Sequence, residues 1–247
     1  SDTHGDPDKC AARLRALAVV LMGHVHVVVI DLAPEDNAQA IFETLNARGT
    51  PLLVSDLVKN YLLQEAVAQN LDAEALYREH WERFDEQKWR TEVRLGRLYW
   101  PRLDVFLYHW MVMCCASDVP TQQMFSRFKE LAETGDAGPD GVMQELATFG
   151  GIYDTLDEAV EEDTEEGHFF YRWRTMQANV LTPLLMLIYE RQERLGASQV
   201  EAMRQAIESW LVRRMVCRSS AKGYNHFLYS LLGDLKNTPD ELFSAVL

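Results

Sequence analysis

The segment 41–63, IFETLNARGTPLLVSDLVKNYLL, constrains the fold more than any other, because it holds the stop signal of one helix and the start signal of another. Ile41 and Leu45 fall at helical spacing. Gly49 follows where a helix commonly ends in a left-handed residue. Pro51 disfavours a helical conformation at the residue before it. The first helix is therefore predicted to end at Gly49.

A tight loop over 48–54 is predicted to lead into the second helix. Ser55 and Asp56 are both residue types that cap helix N-termini, so one of them is expected to begin this helix. The apolar face of the second helix is predicted to consist of Leu57, Val58, Tyr61 and Leu62.

This arrangement gathers five polar residues, Asn46, Arg48, Asp56, Lys59 and Asn60, at one helix-loop-helix corner, which we call the polar corner. In a purely structural interpretation, Asn46 and Asp56 satisfy backbone groups while Arg48 and Lys59 are solvated. In a functional interpretation the same residues face a ligand. The corner alone does not decide between them.

Two motifs in order point to a family. The first consists of Phe42, Leu45, Asn46, Gly49, Leu52, Asp56, Leu57, Lys59 and Asn60. The second, SWLVRRMVCRSSAKGYNHFLYSLL at 209–232, has an Arg-Arg segment followed by Lys-x-x-Asn. Both are similar to the GmrSD-like family of modification-dependent restriction and anti-phage proteins.

The resemblance implies a parent protein with three parts. These are an N-terminal ParB/sulfiredoxin-like domain that hydrolyses nucleotide and senses DNA modification, a helical region, and a C-terminal His-Asn-His nuclease domain. This sequence has neither the Asp-Gly-Gln-Gln-Arg signature of the first domain nor a His-Asn-His constellation. We therefore expect a non-catalytic middle part, with residues 1–70 ending the sensor domain and residues 71–247 forming a helical linker or relay domain.

The resemblance also implies roles for particular residues. The candidates for the nucleotide site are Asn46, Arg48, Gly49, Asp56, Lys59 and Asn60. The candidates for nucleic-acid or interdomain contacts are Arg213, Arg214, Arg218 and Lys222. No catalytic residue and no metal ligand is expected in the chain itself. A nucleoside triphosphate and a divalent metal are expected in the parent, which would also bring DNA and the two flanking domains as partners.

The predicted fold class is mainly α, a multi-helix bundle with one short β-strand near the N-terminus. The β-branched run 24–32, HVHVVVIDL, is the expected strand, and it would pair with strands of the parent or with a second copy of the chain. Helices are predicted at 8–22, 36–47, 55–69, 72–87, 92–116, 121–134, 139–160, 167–178, 180–195, 198–217 and 222–236. Pro101 is expected to kink or restart the helix over 92–116.

Charge and hydropathy indicate which environments and which classes of binding partner suit this chain. The longest apolar runs are too short to cross a bilayer, so no membrane partner and a cytoplasmic location are expected. The formal net charge of −14 argues against broad nucleic-acid binding, because phosphate contacts need Lys and Arg. Local basic faces remain open, and one loose tract consists of Arg83, Lys88, Arg90, Arg94, Arg97 and Arg102.

Three further features have competing interpretations. The acidic run 154–166 is predicted to be a solvated helix end and loop, with a phosphate-mimicking gate as the alternative. Aromatic residues over 81–110 are predicted to fill a core, with base stacking as the alternative. Glu165 and His168 have the spacing of one di-iron ligand pair but lack a second such pair. For the whole chain, the alternative function is a stand-alone helical protein-interaction or regulatory module.

Overall fold

This computed structural model describes residues 7–24, 53–96, 98–157, 163–217, 223–240 and 243. The chain divides into two compact units, Ser1–Pro51 and Leu52–Leu247. The boundary between the units falls at Pro51, whereas the sequence analysis placed a domain boundary at residue 70. The functional roles assigned to the two domains stay predictions.

In the first unit the structure describes one helix, α1, which spans Pro7–His24 and agrees with the helix predicted over 8–22. His24 ends this helix, so the predicted strand does not begin there. The rest of the predicted strand 24–32 and the helix predicted over 36–47 lie outside the described residues.

The second unit is mainly α-helical, as predicted. Its α-helices are α2 (Val54–Ala68), α3 (Ala73–Leu76), α4 (Gln87–Arg90), α5 (Arg102–Cys115), α6 (Met124–Thr134), α7 (Gly138–Asp157), α8 (Glu165–Thr175), α9 (Thr182–Glu190), α10 (Gln192–Leu195), α11 (Ala197–Val216) and α12 (Tyr224–Lys236). Among the described residues, no helix combines the length and the apolar character needed to cross a membrane.

The prediction of a helix over 92–116 is wrong in its first part, which forms a β-hairpin. Strands β1 (Glu92–Leu95) and β2 (Leu98–Pro101) pair in antiparallel fashion, with Val93 opposite Trp100. Gly96 lies in the turn with a φ of 63°, a left-handed conformation that glycine adopts without steric cost. Helix α5 begins only after Pro101, which lacks the N–H that a helix interior would need.

The helix predicted over 72–87 is also interrupted. After α3, the backbone forms a π-helical turn over Tyr77–Trp81 and a 3-10 turn over Glu82–Asp85 before α4 begins. Trp81 ends the π-helical turn, Phe84 lies in the 3-10 turn, and each is 1% exposed in the core.

Helix α5 is the central element of the second unit. It packs against α2, α4, α6, α7, α9 and both strands, and most of its residues are buried. Phe106 of this helix belongs to an aromatic cluster. Its ring stacks on that of Phe84 with 5.7 Å between the ring centroids, and the ring of Trp89 meets that of Phe84 edge-on at 5.0 Å. The core interpretation of the aromatic residues is therefore confirmed for these three, for Trp81 and for Trp110, but it is wrong for Tyr99 of β2, which is 67% exposed.

Candidate functional site

The polar corner is only partly within the described residues. Asn46, Arg48 and Gly49 lie outside them, whereas Asp56, Lys59 and Asn60 lie in the first half of α2. Asn60 is exposed, and both Asp56 and Lys59 are half-buried. The structure thus describes where the second helix of the corner is held, but not the first.

The cap of α2 comes from a residue distant in sequence, so the prediction that Ser55 or Asp56 would cap it is wrong. Leu53 occupies the N-cap position and makes no side-chain cap. Instead, the carboxylate of Asp104 in α5 accepts hydrogen bonds from the backbone N–H of Val54 at 3.3 Å and of Ser55 at 3.0 Å. We call this contact the Asp104 cap. It satisfies donors that a helix N-terminus otherwise leaves unpaired.

The Asp104 side chain is buried, and the residue is 2% exposed. Burial raises the pKa of this carboxyl group, against the opposing effect of the hydrogen bonds from Ser55 and Val54. Local sequence offers no signal for this cap, because 49 residues separate Ser55 from Asp104.

Lys59, a predicted phosphate contact, forms an ion pair with Asp85, whose Oδ1 lies 3.1 Å from Nζ. Tyr77 donates its hydroxyl to the same carboxylate at 2.8 Å, and Arg90 donates at 3.3 Å. Burial alone would raise the pKa of Asp85, but the hydrogen bonds from Tyr77 and Lys59 bring it below its usual value. A phosphate would have to compete with Asp85 for Lys59.

Most of the described cations in the first basic tract form ion pairs within the protein. Lys88 Nζ lies 2.9 Å and Arg83 Nη2 lies 3.1 Å from Asp154 Oδ2. Arg102 Nη2 lies 2.9 Å from Asp154 Oδ1, an ion pair without hydrogen-bond geometry. We call these four residues the Asp154 cluster. Asp154 is 6% exposed, so the prediction of a solvated acidic run is wrong at its first residue.

The two adjacent arginines of α11 have different surroundings. The guanidinium carbon of Arg214 lies 4.4 Å from the ring centroid of Tyr224 and 5.1 Å from that of Trp210. Arg213 is exposed. Their divergence follows from the 100° that separates neighbouring positions on a helix. Arg218 and Lys222 lie outside the described residues.

A cavity of about 510 Å³ opens beside the hairpin. The sequence analysis did not predict it, although its lining includes Asn225, Leu228 and Tyr229 of the second motif. Its polar lining residues are Arg94, Tyr108, His109, Gln177, Asn179, Asn225 and Tyr229. Arg94, His109 and Asn179 also line a neighbouring cavity of about 180 Å³. We call the larger of the two the hairpin cavity.

His109 is the buried polar residue of the hairpin cavity, at 3% exposed. Burial lowers its pKa to about 3, so the imidazole is neutral near pH 7. Its Nδ1 atom has no hydrogen-bond partner among the described residues. The one sequence signal for this residue is a histidine inside the apolar run 105–113, which more often marks a core position.

The described residues contain no cluster of three or more His, Cys, Asp or Glu side chains that could hold a metal ion. No protein-family model, curated protein or solved structure matches this chain. The GmrSD-like resemblance therefore stands on the two sequence motifs alone.

Proposed function

We propose that this chain is a non-catalytic helical body of a GmrSD-like restriction protein in anti-phage defence. It would join a nucleotide-hydrolysing domain that senses DNA modification to an endonuclease domain. The resemblance of the two motifs motivates the proposal. The structural observation that best supports it is the Asp104 cap, because this contact ties the second helix of the polar corner to the central helix of the body.

The Asp104 cap supports a relay role for a mechanical reason. The loop predicted over 48–54 would lead directly into Val54 and Ser55, whose N–H groups donate to the Asp104 carboxylate. Asp104 in turn lies in α5, which packs against five other helices and the hairpin. A displacement of the loop would strain a buried, charged hydrogen bond, and packed elements of this kind carry energetic coupling between sites.

The charge distribution supports a chain that does not itself hold DNA broadly. Arg83, Lys88 and Arg102 all pair with Asp154, and Asp157 and Glu86 supply further carboxylates to Arg102 and Lys88. Lys59 is paired with Asp85. Counterion release on DNA needs cations that are free to contact phosphates. DNA contacts would then come chiefly from other domains of the parent, with Arg213 as a candidate on this body.

Substitution of Asp104 in the full-length parent protein tests the proposal. Asp104→Asn keeps the side-chain volume but removes the charge that strengthens the two hydrogen bonds. We expect nucleotide hydrolysis to continue while nucleotide-dependent DNA cleavage falls by about tenfold or more, the result of losing 1–2 kcal/mol of coupling. Thermal melting of the variant verifies that the protein remains folded.

Asp72→Asn is the matched control. Asp72 also caps a helix with its side chain, accepting from the N–H of Ala75 at 3.0 Å, but it is exposed and caps the short helix α3. This variant should cleave DNA normally. Unchanged cleavage in a folded Asp104→Asn variant would refute the relay. We also expect the isolated 247-residue chain to show neither nucleotide turnover nor DNA nicking.

The sequence upstream of this segment in the parent gene separates the proposal from the stand-alone interaction module. An Asp-Gly-Gln-Gln-Arg signature there would support the restriction protein. A parent without that signature and without a nuclease domain would favour the interaction module, with a purely structural polar corner.

A further inference from the structure

The hairpin cavity has the size and the floor of a small-molecule site. Its volume of about 510 Å³ falls within the range of roughly 300–1,000 Å³ that is usual for such sites. The apolar part of the lining comes from Val112 of α5, Val180, Pro183 at the start of α9, and Leu228 of α12. The hairpin, α5, residues 177–183 and α12 together build one concave surface with an apolar base.

The charge of the lining favours an anion. Arg94 is the one charged side chain among the described residues that line the cavity, and no carboxylate is present there. This is unusual in a chain whose formal net charge is −14. Arg94 is exposed, and its Nε donates to the carbonyl oxygen of Gly96 at 2.9 Å. The other guanidinium nitrogens offer the donors that suit a phosphate or carboxylate.

Three carboxamides surround the mouth, and one of them is held in a strained backbone conformation. Gln177 has a φ of 50°. Its backbone N–H donates to the carbonyl oxygen of Arg174, and the N–H of Ala178 donates to the carbonyl oxygen of Trp173. This pattern ends helix α8 with a left-handed residue, a position that glycine usually occupies. A glutamine there costs stability that a glycine would not, and residues under such strain are concentrated at functional sites.

The tyrosines and the histidine complete the surface. Tyr229 donates its hydroxyl to Asp118 at 3.3 Å, which holds its ring in place, and Tyr108 also lines the cavity. His109 contributes a neutral imidazole whose Nδ1 is buried and without a partner among the described residues. A buried polar atom of this kind gains from a ligand that satisfies it.

We propose that the hairpin cavity binds a 5′-mononucleotide, with the phosphate at Arg94 and the base edge at the carboxamides of Gln177, Asn179 and Asn225. Carboxamides present a donor and an acceptor side by side, which matches the paired groups on a nucleobase edge. The tyrosine rings and the apolar floor supply surface for the base. This proposal rests on the cavity alone and is independent of the proposed restriction function.

Isothermal titration calorimetry on the purified 247-residue chain tests it, with AMP, GMP, CMP and UMP as probes. At least one mononucleotide should bind with a dissociation constant below about 1 mM. Its nucleoside and inorganic phosphate, titrated separately, should each bind at least tenfold more weakly. Absence of binding by all four mononucleotides would overturn the proposal. Equal binding by inorganic phosphate would also overturn it, since that site would accept any anion.

Arg94→Gln should weaken binding of the best probe by about tenfold or more, because it removes a charge-assisted hydrogen bond. The matched control is Arg90→Gln. Arg90 lies in the same segment, but it pairs with Asp85 at 3.3 Å and does not line the cavity. Its loss should leave the dissociation constant unchanged. Equal weakening of binding in both variants would mean that only the net charge of the protein matters. It would overturn the assignment of Arg94 as the phosphate contact.

Gln177→Gly separates binding from stability. Glycine relieves the left-handed strain, so the melting temperature should rise, while loss of the carboxamide should weaken mononucleotide binding several-fold. Asn70→Gly is the control, since Asn70 has a φ of 59° but does not line the cavity. Its binding should match that of the unaltered chain. A Gln177→Gly variant with full affinity would remove Gln177 from the proposed site.

Discussion

Arg102 at the start of α5 and Asp154 near the end of α7 form a buried ion pair, with 2.9 Å between Nη2 and Oδ1. Both side chains are less than one-tenth exposed. The guanidinium carbon of Arg102 also lies 4.7 Å from the ring centroid of Trp89 and 5.4 Å from that of Tyr153. Desolvating two charges is costly, so such a pair is stable only when further partners surround it. Arg83 and Lys88 provide them.

Removing one partner of this ion pair should strongly lower the stability of the protein. Asp154→Ala leaves Arg102 buried without its main counter-charge, so the free energy of unfolding should fall by about 3–5 kcal/mol. Urea denaturation followed by circular dichroism measures this. Asp157→Ala is the control, because Asp157 also pairs with Arg102 but its side chain is 55% exposed, and it should cost no more than about 1 kcal/mol. Similar costs for both variants would contradict the buried character of the pair.

Two adjacent glycines of α7 should respond in opposite directions to alanine. A Cβ on Gly150 would lie 2.6 Å from Cε1 of the buried Phe84 ring, which has no room to move. Gly150→Ala should therefore lower the free energy of unfolding by about 1–3 kcal/mol. Gly151→Ala meets nothing closer than Arg83 Nη1 at 3.6 Å and should gain up to about 1 kcal/mol from helix propensity. Chemical denaturation of both variants tests the contrast, and equal shifts would refute it.

His109 should make the protein sensitive to acid. Its folded pKa of about 3 lies below the ordinary value of 6.5, so between these values the unfolded chain binds a proton that the folded chain does not. Stability from this group is complete above about pH 6.5 and is lost as the pH falls toward 3, with a slope of up to about 1.4 kcal/mol per pH unit.

The variant His109→Gln tests whether His109 causes this loss of stability at low pH. Glutamine cannot titrate, so the stability of the variant should fall less steeply below pH 6.5 than that of the unaltered chain. The carboxylates contribute equally to both curves, and their difference isolates the histidine. Parallel curves between pH 6.5 and 4 would show that His109 is not held neutral by burial.

Arg213 and Arg214 should give unequal results when each is replaced by alanine. Arg214→Ala removes a guanidinium and a methylene stem that cover two aromatic rings, and should cost about 1 kcal/mol of stability. Arg213→Ala should change stability by less than about 0.5 kcal/mol, because the side chain is exposed. If the restriction function is right, Arg213→Ala should weaken DNA binding by the full-length parent. Equal melting temperatures and unaltered DNA binding would leave the Arg-Arg motif without a mechanism.

Local sequence predicted the helices where the signals were local. The apolar spacing and flanking residues of α2, α7, α8, α11 and α12 were enough to place each within a few residues. The same reasoning misjudged residues 92–101, because helical spacing was assumed to continue through Gly96, although the restart of the helix expected at Pro101 is observed. The left-handed turn and the proline at the helix boundary outweighed the periodicity.

The sequence by itself determined that the second unit is mainly helical, that most of the aromatic residues over 81–110 lie in the core, and which residues carry a family resemblance. Only the tertiary structure decided the partners of the charged groups. Asp104 caps α2 across 49 residues, and Asp154 collects cations from three separate segments. Helix formation depends on neighbours within a turn or two, which the sequence displays directly. Ion pairs and cavities depend on which helix faces pack together, and this depends on contacts between residues far apart in the chain.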